Sequence, residues 1–138
     1  MTDTMSGTHS GSCLCGGVRY EYRGDFGQFI YCHCVKCRKA QGTAFGTNAP
    51  VDVSGFRLLR GEELLKAYES SPGKQRVFCG NCGSPLYSRA ADKPGLLRLR
   101  MGTLDTPIGF KPQAHNFVAS KAEWYDILDG LPQHAERS

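Results

Sequence analysis

Cys32-His33-Cys34-Val35-Lys36-Cys37 places three thiols within six residues, in the pattern C-x-C-x-x-C. Core packing rarely requires thiols at this density, whereas a tight turn can direct neighbouring thiolates at one soft metal ion. A metal site is therefore the feature around which we expect the chain to fold.

Two further cysteine clips lie on either side of this stretch, Cys13-Leu14-Cys15 and Cys79-Gly80-Asn81-Cys82. Four sulfurs in paired spacings are typical of a closed, tetrahedral, structural zinc site. Gly83 follows the second clip as in a zinc knuckle, where it frees backbone N–H groups to face the sulfurs. We expect Cys13, Cys15, Cys79 and Cys82 to hold one zinc ion. The alternative is four unrelated buried thiols.

Cys32, Cys34 and Cys37 provide only three sulfurs, and three protein ligands with an open position are typical of catalytic zinc. The residues alone leave equally open a second structural site, completed by His33, His115 or another side chain. Both histidines are also weak candidates for acid/base catalysis, although a hydrogen-bonded structural imidazole is the commoner role. Three thiolates bind metal less firmly than four and oxidise more readily, so partial occupancy of this second site is a further alternative.

Composition limits the function classes. The chain has 138 residues, which suggests one domain, and its seven cysteines leave one over in any complete disulfide scheme. Clustered thiols and the lack of an apolar signal segment favour a cytoplasmic protein. The net charge of +4 is scattered without a basic tract, so we do not expect a nucleic-acid partner. No apolar run reaches the roughly 18 residues of a membrane span, so no membrane partner is expected.

Short alternating segments separated by glycine and proline predict a mostly β fold. Residues 18–22, 56–60 and 96–101 read as strands, and residues 68–78 as a hairpin. Pro50 is expected to end a strand that begins at residue 43, and residues 36–41 to form one helical turn. Residues 62–69 are ambiguous between helix and strand. In the strand at 96–101, Arg98 and Arg100 share one face, which is either a solvated face or a grip for carboxylates beside a pocket.

The domain organisation follows from these segments. We expect a flexible N-terminal lead over residues 1–10, a zinc-binding domain over residues 11–126 and a polar C-terminal tail over residues 127–138. His9 and His134 fall in the two ends and are discounted as site residues.

The sequence resembles the glutathione-dependent formaldehyde-activating enzyme (GFA) family, also called the centromere protein V-like (CENP-V) domain. The resemblance covers about residues 10–125. It is carried by the cysteine stretches at residues 11–20, 32–38 and 78–86, by Gly42 and Phe45, by the segment at 102–105, and by the end segments at 115–118 and 120–124.

This resemblance implies a β-tent fold, similar to the Mss4-like domains, in which twisted antiparallel sheets surround zinc. It implies two zinc ions per chain with the same division of ligands, and a small thiol such as glutathione as partner. The implied activity is that of a carbon–sulfur lyase that condenses formaldehyde with glutathione to S-hydroxymethylglutathione, and the reverse. No residue stands out as a general base, and the addition is already easy for a thiolate.

A second hypothesis is a non-catalytic zinc module that binds glutathione or a protein partner, because a binder would need the same residues. The sequence leaves the thiol, the electrophile and the choice between monomer and homodimer open.

Overall fold

Ten β-strands and one short helix provide the regular structure of residues 7–137, the part of the chain that the computed structural model describes. The strands are Thr8–Ser12 (β1), Arg19–Arg23 (β2), Ile30–Cys32 (β3), Gly46–Asp52 (β4), Phe56–Arg60 (β5), Leu65–Ser71 (β6), Lys74–Cys79 (β7), Pro85–Ala90 (β8), Leu96–Arg100 (β9) and Ala114–Asn116 (β10). The helix is Val35–Gln41 (α1), and four single 3₁₀ turns lie at Val53–Gly55, Glu62–Leu64, Met101–Thr103 and Val118–Ser120. The mostly β prediction is confirmed.

The strands form two sheets. The smaller one has the order β1-β2-β5, and the larger one the order β10-β3-β4-β9-β8-β7-β6. All neighbours are antiparallel except β10 and β3, which run parallel. The segment after β9 returns to the smaller sheet, where the Asp105 amide donates to the Ser10 carbonyl at 2.8 Å.

The core lies between the two sheets because alternate side chains of each strand point inward. Tyr20 of β2 is 1% exposed and stacks on Phe56 of β5 at 5.2 Å between ring centroids. Phe56 in turn meets Tyr87 of the larger sheet edge to face at 5.4 Å. Leu97 and Leu99 of β9 are buried on this side. The intervening residues of the larger sheet therefore point to its other side, away from the core, and we call that side the outer face.

Strand β1 corrects the expectation of a flexible lead over residues 1–10. Thr8 to Ser12 pair in register with β2, and His9 is buried against Phe26 at 5.1 Å between rings. Gly11 makes this possible because a side chain there would collide with Tyr20, 2.2 Å from a built Cβ. The rest of the expected lead, residues 1–6, lies outside the described residues.

Pro50 lies inside β4 and does not end it, which corrects a second expectation. β3 pairs with β4 only as far as Asn48. Beyond that residue, the β3 side of β4 carries no further strand, and a missing N–H is tolerated at such an edge. The Pro50 carbonyl still accepts from Gly27 at 2.9 Å.

The structure also defines residues 62–69 and the C-terminal segment. Residues 62–69 contain a 3₁₀ turn and then strand β6, because β6 pairs along its length with β7. The C-terminal segment runs beside β10. The backbone amide of His115 donates to the Pro132 carbonyl at 2.9 Å, and the backbone amide of His134 donates to the His115 carbonyl at 2.8 Å. The backbone of His134 is thus part of an ordered ladder rather than a flexible end. In the described residues, no helix combines the length and apolarity that crossing a membrane requires.

Candidate functional site

Cys13, Cys15, Cys79 and Cys82 come together where the two sheets meet. The first two lie in the turn from β1 to β2, and the second two at the turn from β7 to β8. Their four sulfurs all lie within 4.8 Å of one another, with Cys15 Sγ 3.5 Å from Cys13 Sγ and 3.9 Å from Cys79 Sγ. A tetrahedral zinc with Zn–S bonds of about 2.3 Å needs sulfurs about 3.8 Å apart. The donor set therefore fits zinc.

In this first cluster, hydrogen bonds favour the thiolates of Cys15 and Cys82, whereas burial raises the pKa of the Cys79 thiol to about 11. The Val18 amide donates to Cys13 Sγ at 3.2 Å. The Ser84 hydroxyl lies 3.3 Å from Cys82 Sγ, and hydrogen bonding by Ser84 lowers the pKa of the Cys82 thiol to about 5. A hydrogen bond with the Asn81 side chain is the largest effect that lowers the pKa of Cys15. Metal ligation by cysteine requires the thiolate, so these contacts prepare the cluster for a cation.

Cys32, Cys34 and Cys37 form a second cluster at the end of β3 and the start of α1. Their sulfurs also lie within 4.8 Å of one another, with Cys32 Sγ and Cys34 Sγ 3.5 Å apart. Cys34 is the N-cap of α1, where its sulfur accepts from the Cys37 amide at 3.3 Å. Cys32 and Cys37 are buried, whereas Cys34 is half-buried, so the cluster is accessible from one side. Three thiols at this separation also fit a metal ion with one position left for a ligand.

Cations lie against the second cluster. Arg76 of β7 reaches Cys37 Sγ with both terminal nitrogens, at 3.8 and 3.9 Å. The Asn48 amide lies 4.0 Å from the same sulfur, and its oxygen accepts from Arg100 at 2.8 Å. Hydrogen bonds from Cys32 and Cys34, followed by the charges of these two arginines, lower the pKa of the Cys37 thiol strongly. Cys37 therefore favours the thiolate.

The buried side chain of Arg100 favours a negative charge on this cluster. Its side chain is 4% exposed, and the acceptors recorded for it are the oxygens of Asn48 and Arg98 rather than a carboxylate. Burial lowers its pKa to about 10. A buried guanidinium needs a nearby negative charge. Three thiolates with one divalent ion carry a net charge of −1, which would meet that need.

A pocket of about 660 Å³ opens above the second cluster on the outer face of the larger sheet. All three cysteines line it, together with Asn48, Ser88 and Asn116. Its cationic side chains are Lys36, Lys74, Arg76, Lys93, Arg98, Arg100 and Arg137. We call this the cationic pocket. Its volume suits a small-molecule ligand.

The structure does not bring His33 and His115 into this pocket. Both are fully buried, and His33 Nε2 lies 2.8 Å from His115 Nδ1. His115 Nε2 lies 3.0 Å from Asp129 Oδ2. Neither imidazole belongs to the groups of described residues that could share a metal ion. Burial is the main cause that lowers the pKa of His33, to about 4. These contacts connect the cysteine stretch to the C-terminal segment, so both histidines hold the structure together.

Sequence reasoning missed several pocket residues. Asn48, Lys74 and Arg76 are ordinary residues of strands, and their spacing carries no motif. Arg137 lies in the segment read as a polar tail, yet its guanidinium stands 5.8 Å from the centre of the Phe117 ring. Only the alternation of Lys74 and Arg76, which puts both on one face of β7, was available as a signal.

Comparisons with known proteins identify a family and relatives of this chain. The sequence model of a family described as "Glutathione-dependent formaldehyde-activating enzyme" matches residues 8–120. A protein of Schizosaccharomyces pombe described as an uncharacterized lyase is 30% identical over 82 residues, which are 57% of this chain and 56% of that protein. The match thus spans little more than half of that relative. A crystal structure of a Rhodobacter sphaeroides protein resembles the fold with a TM-score of 0.59 and 26% identity, covering 75% of this chain and 91% of that one.

Proposed function

Because the chain belongs to the glutathione-dependent formaldehyde-activating enzyme family, we propose that it is a zinc-dependent carbon–sulfur lyase. Its substrate would be a small thiol adduct such as S-hydroxymethylglutathione. In the condensing direction, the thiol sulfur bonds to the formaldehyde carbon, and the thiol proton ends on the new hydroxyl oxygen. In the reverse direction, the C–S bond breaks and formaldehyde and thiol are released. The description of the S. pombe relative as a lyase supports the same class.

The observation that carries the proposal is a cluster of three thiols at the base of a pocket, accessible through half-buried Cys34. Cys32, Cys34 and Cys37 would hold the second zinc ion as ligands and not as nucleophiles. A zinc ion bound there would supply Lewis-acid chemistry and lower the pKa of a thiol that approaches it. Cys13, Cys15, Cys79 and Cys82 would hold the first zinc in a closed site without a place for substrate.

The chain's own residues would orient the thiol and balance its charge. Arg76 contacts Cys37 directly, and Arg100 acts on it through Asn48. Their positive charges would favour the arrival of a fourth anionic sulfur beside three thiolates. The remaining cations of the pocket would hold the anionic body of the thiol.

A second candidate function is a non-catalytic module that binds a small thiol. One observation favours it: among the described residues that line the cationic pocket there is no histidine, aspartate or glutamate. A lyase at this site would have lysine ammonium groups, cysteine thiols and solvent for its proton transfer. We place either function in the cytoplasm, where clustered thiols remain reduced.

Exchange spectroscopy by NMR tests the choice between them. Formaldehyde and glutathione are mixed with zinc-loaded protein, and the rate of exchange between free formaldehyde and its adduct is measured. We expect wild type to raise this rate above that of buffer, and Cys34→Ser to return it to the buffer rate. Lys111→Gln, an exposed charge change outside the pocket, is the control and should behave as wild type. Binding of glutathione without any rise in exchange would contradict the lyase and favour the module.

A further inference from the structure

The cations of the pocket are arranged by the register of three neighbouring strands. Arg98 of β9 lies opposite Ser88 of β8, and Ser88 lies opposite Arg76 of β7. Residues two apart in a strand share a face, so Arg100 and Lys74 point to the same side. Four cations consequently stand together on the outer face of the sheet. Like charges at such positions repel one another unless an anion lies between them.

Two further segments add cations to the same place. Lys93 comes from the loop between β8 and β9, and Arg137 from the C-terminal segment over Phe117. A second groove of about 600 Å³ continues from the pocket, and both are lined by Lys74, Lys93, Arg98 and Arg137. We call these four residues the distal cluster. Cations that converge from separate parts of the chain are harder to explain as a solvated sheet face than cations along one strand.

Acidic side chains offset little of this charge. None lines the cationic pocket among the residues described, and Asp92 is the single acidic residue at the groove beyond it. Burial, followed by Arg76 and Arg98, lowers the pKa of Lys74. Burial, followed by Arg137, lowers the pKa of Arg98. The Cys37 thiolate opposes both shifts and Asp92 opposes that of Arg98, so a single carboxylate offsets the four cations of the distal cluster.

This charge pattern matches glutathione poorly. Glutathione carries two carboxylates and one ammonium group, for a net charge of −1. A carboxylate is the best acceptor for an ammonium group; the described lining of the pocket provides none, and the groove beyond it provides only Asp92, which already interacts with Arg98. A phosphate monoester instead brings close to two negative charges and three acceptor oxygens, which arginine and lysine bind well.

We propose that the thiol taken by this pocket bears a dianionic group, of which a phosphate monoester is the best example, at the end remote from its sulfur. The sulfur end lies at Cys32, Cys34 and Cys37, and the dianion lies at the distal cluster. This inference rests on the proposed function, since it specifies the thiol of the same carbon–sulfur bond. The bond that breaks, and the formaldehyde and thiol released, are unchanged.

Pantetheine and 4′-phosphopantetheine form a matched pair of probes, because they differ only in the phosphate. Formaldehyde exchange is measured with each thiol and with glutathione, and calorimetric titration of the zinc-loaded protein gives the affinities without turnover. We expect the phosphorylated thiol to exceed pantetheine about tenfold in both kcat/KM and affinity, as one charge-assisted contact would give. The advantage should shrink as ionic strength rises.

Lys93→Gln tests the distal cluster. The Lys93 side chain is exposed, and its loop is held by backbone hydrogen bonds. The Lys93 amide donates to the Ala90 carbonyl at 3.1 Å, and the Leu96 amide donates to the Lys93 carbonyl at 3.2 Å. The substitution should therefore leave the fold intact. We expect the variant to lose about threefold or more of the phosphate advantage, which is the ratio of kcat/KM for 4′-phosphopantetheine to kcat/KM for pantetheine. Lys111→Gln makes the same charge change elsewhere and should keep the full advantage.

A dicarboxylate thiol distinguishes the source of the charge. If mercaptosuccinate gains over 3-mercaptopropionate as the phosphate does, the dianion requirement holds for carboxylates too. Equal kcat/KM for the members of both pairs would overturn the inference while leaving the lyase intact. Absence of turnover for every thiol, with the phosphate preference kept in calorimetry, would instead overturn the lyase and keep the dianion site.

Discussion

Cys34 and Cys82 are both half-buried cysteines, yet they support different parts of the molecule. Cys82 belongs to the cluster that joins the β1–β2 turn to the β7–β8 turn, and so connects the two sheets. Cys34 caps α1 and belongs to a cluster contained within one local stretch. Loss of the first thiol should therefore damage the fold, and loss of the second should damage only the pocket.

Cys82→Ser should leave the domain unfolded. Structural zinc contributes roughly 10–16 kcal/mol of apparent binding free energy to small domains, as much as a whole domain's stability. Cys34→Ser should melt within about 5 °C of wild type and lack formaldehyde exchange. Thermal melts followed by circular dichroism, with zinc present, measure both. Equal loss of folding in the two variants would contradict the division of the clusters.

Tyr20 contributes to the loss of stability at alkaline pH. Its ring is buried, its hydroxyl lies 2.6 Å from Thr103 Oγ1, and burial raises its pKa well above the usual value near 10. The unfolded chain releases this proton first, so stability is complete below pH 10 and falls as pH rises above it. The slope from one such group is about 1.4 kcal/mol per pH unit.

Tyr20→Phe should remove that contribution. At pH 7, the variant loses one hydrogen bond and about 1 kcal/mol in the free energy of unfolding. Above pH 10, the stability of wild type should fall toward that of the variant. Urea titrations at pH 7 and pH 11 provide the measurement. Parallel pH profiles for the two proteins would show that Tyr20 is not a source of the alkaline loss.

At the scale of elements, Gly61 positions the connection from β5 to β6 against the first cluster's turn. It has φ of +92°, and a built Cβ would lie 2.3 Å from the Gly17 carbonyl oxygen and 2.7 Å from Val18 Cα. The neighbours are backbone atoms that cannot rotate away. The close approach holds the 3₁₀ turn Glu62–Leu64 beside the chain segment that follows Cys15.

Gly61→Ala should therefore destabilise the protein by at least about 2 kcal/mol, from positive φ and collision together. Gly73→Ala is the matched control. Gly73 also has positive φ, +77°, but the nearest side-chain atom to its built Cβ is 3.6 Å away. Its cost should be about 1 kcal/mol. Denaturant unfolding of both variants measures the difference, and equal costs would show that backbone contact at Gly61 is unimportant.

The strands also show which elements the local sequence pattern can predict. The predictions of a strand at residues 56–60 and of a hairpin over residues 68–78 are confirmed, because each depends on alternation and turn residues close in sequence. β1 was missed because its residues, Thr8–Ser12, are small and polar and become a strand only by pairing with β2. Pro50 was misjudged because the one-sided pairing of that part of β4 cannot be seen from the sequence.

The whole molecule has one cluster between sheets and one within the larger sheet and its adjoining helix. This arrangement predicts that metal loss occurs in two steps. The cluster of four cysteines would fill every position of a tetrahedral ion, whereas the cluster of three would leave one position open, so an ion held by the three should leave first.

Titration with a chelator should first remove about one zinc ion per chain, with loss of exchange activity and an unchanged circular dichroism spectrum. A second ion should leave only as the spectrum is lost. Elemental analysis of zinc at each step makes the comparison, and Cys34→Ser should show the second step alone. Simultaneous loss of both ions and of the fold would contradict separate roles for the clusters.

The sequence by itself determined the mostly β class, the family and the grouping of the cysteines, because paired thiols at short spacings can be recognised locally. The family expected from the cysteine stretches is confirmed, while the zinc ions remain a prediction. Only the tertiary structure decided that His33 and His115 are buried away from the pocket, and that Arg76, Arg98 and Arg137 enter it. The physical reason is that strand order and register bring distant segments together, and the patterning within any one segment does not encode its neighbours.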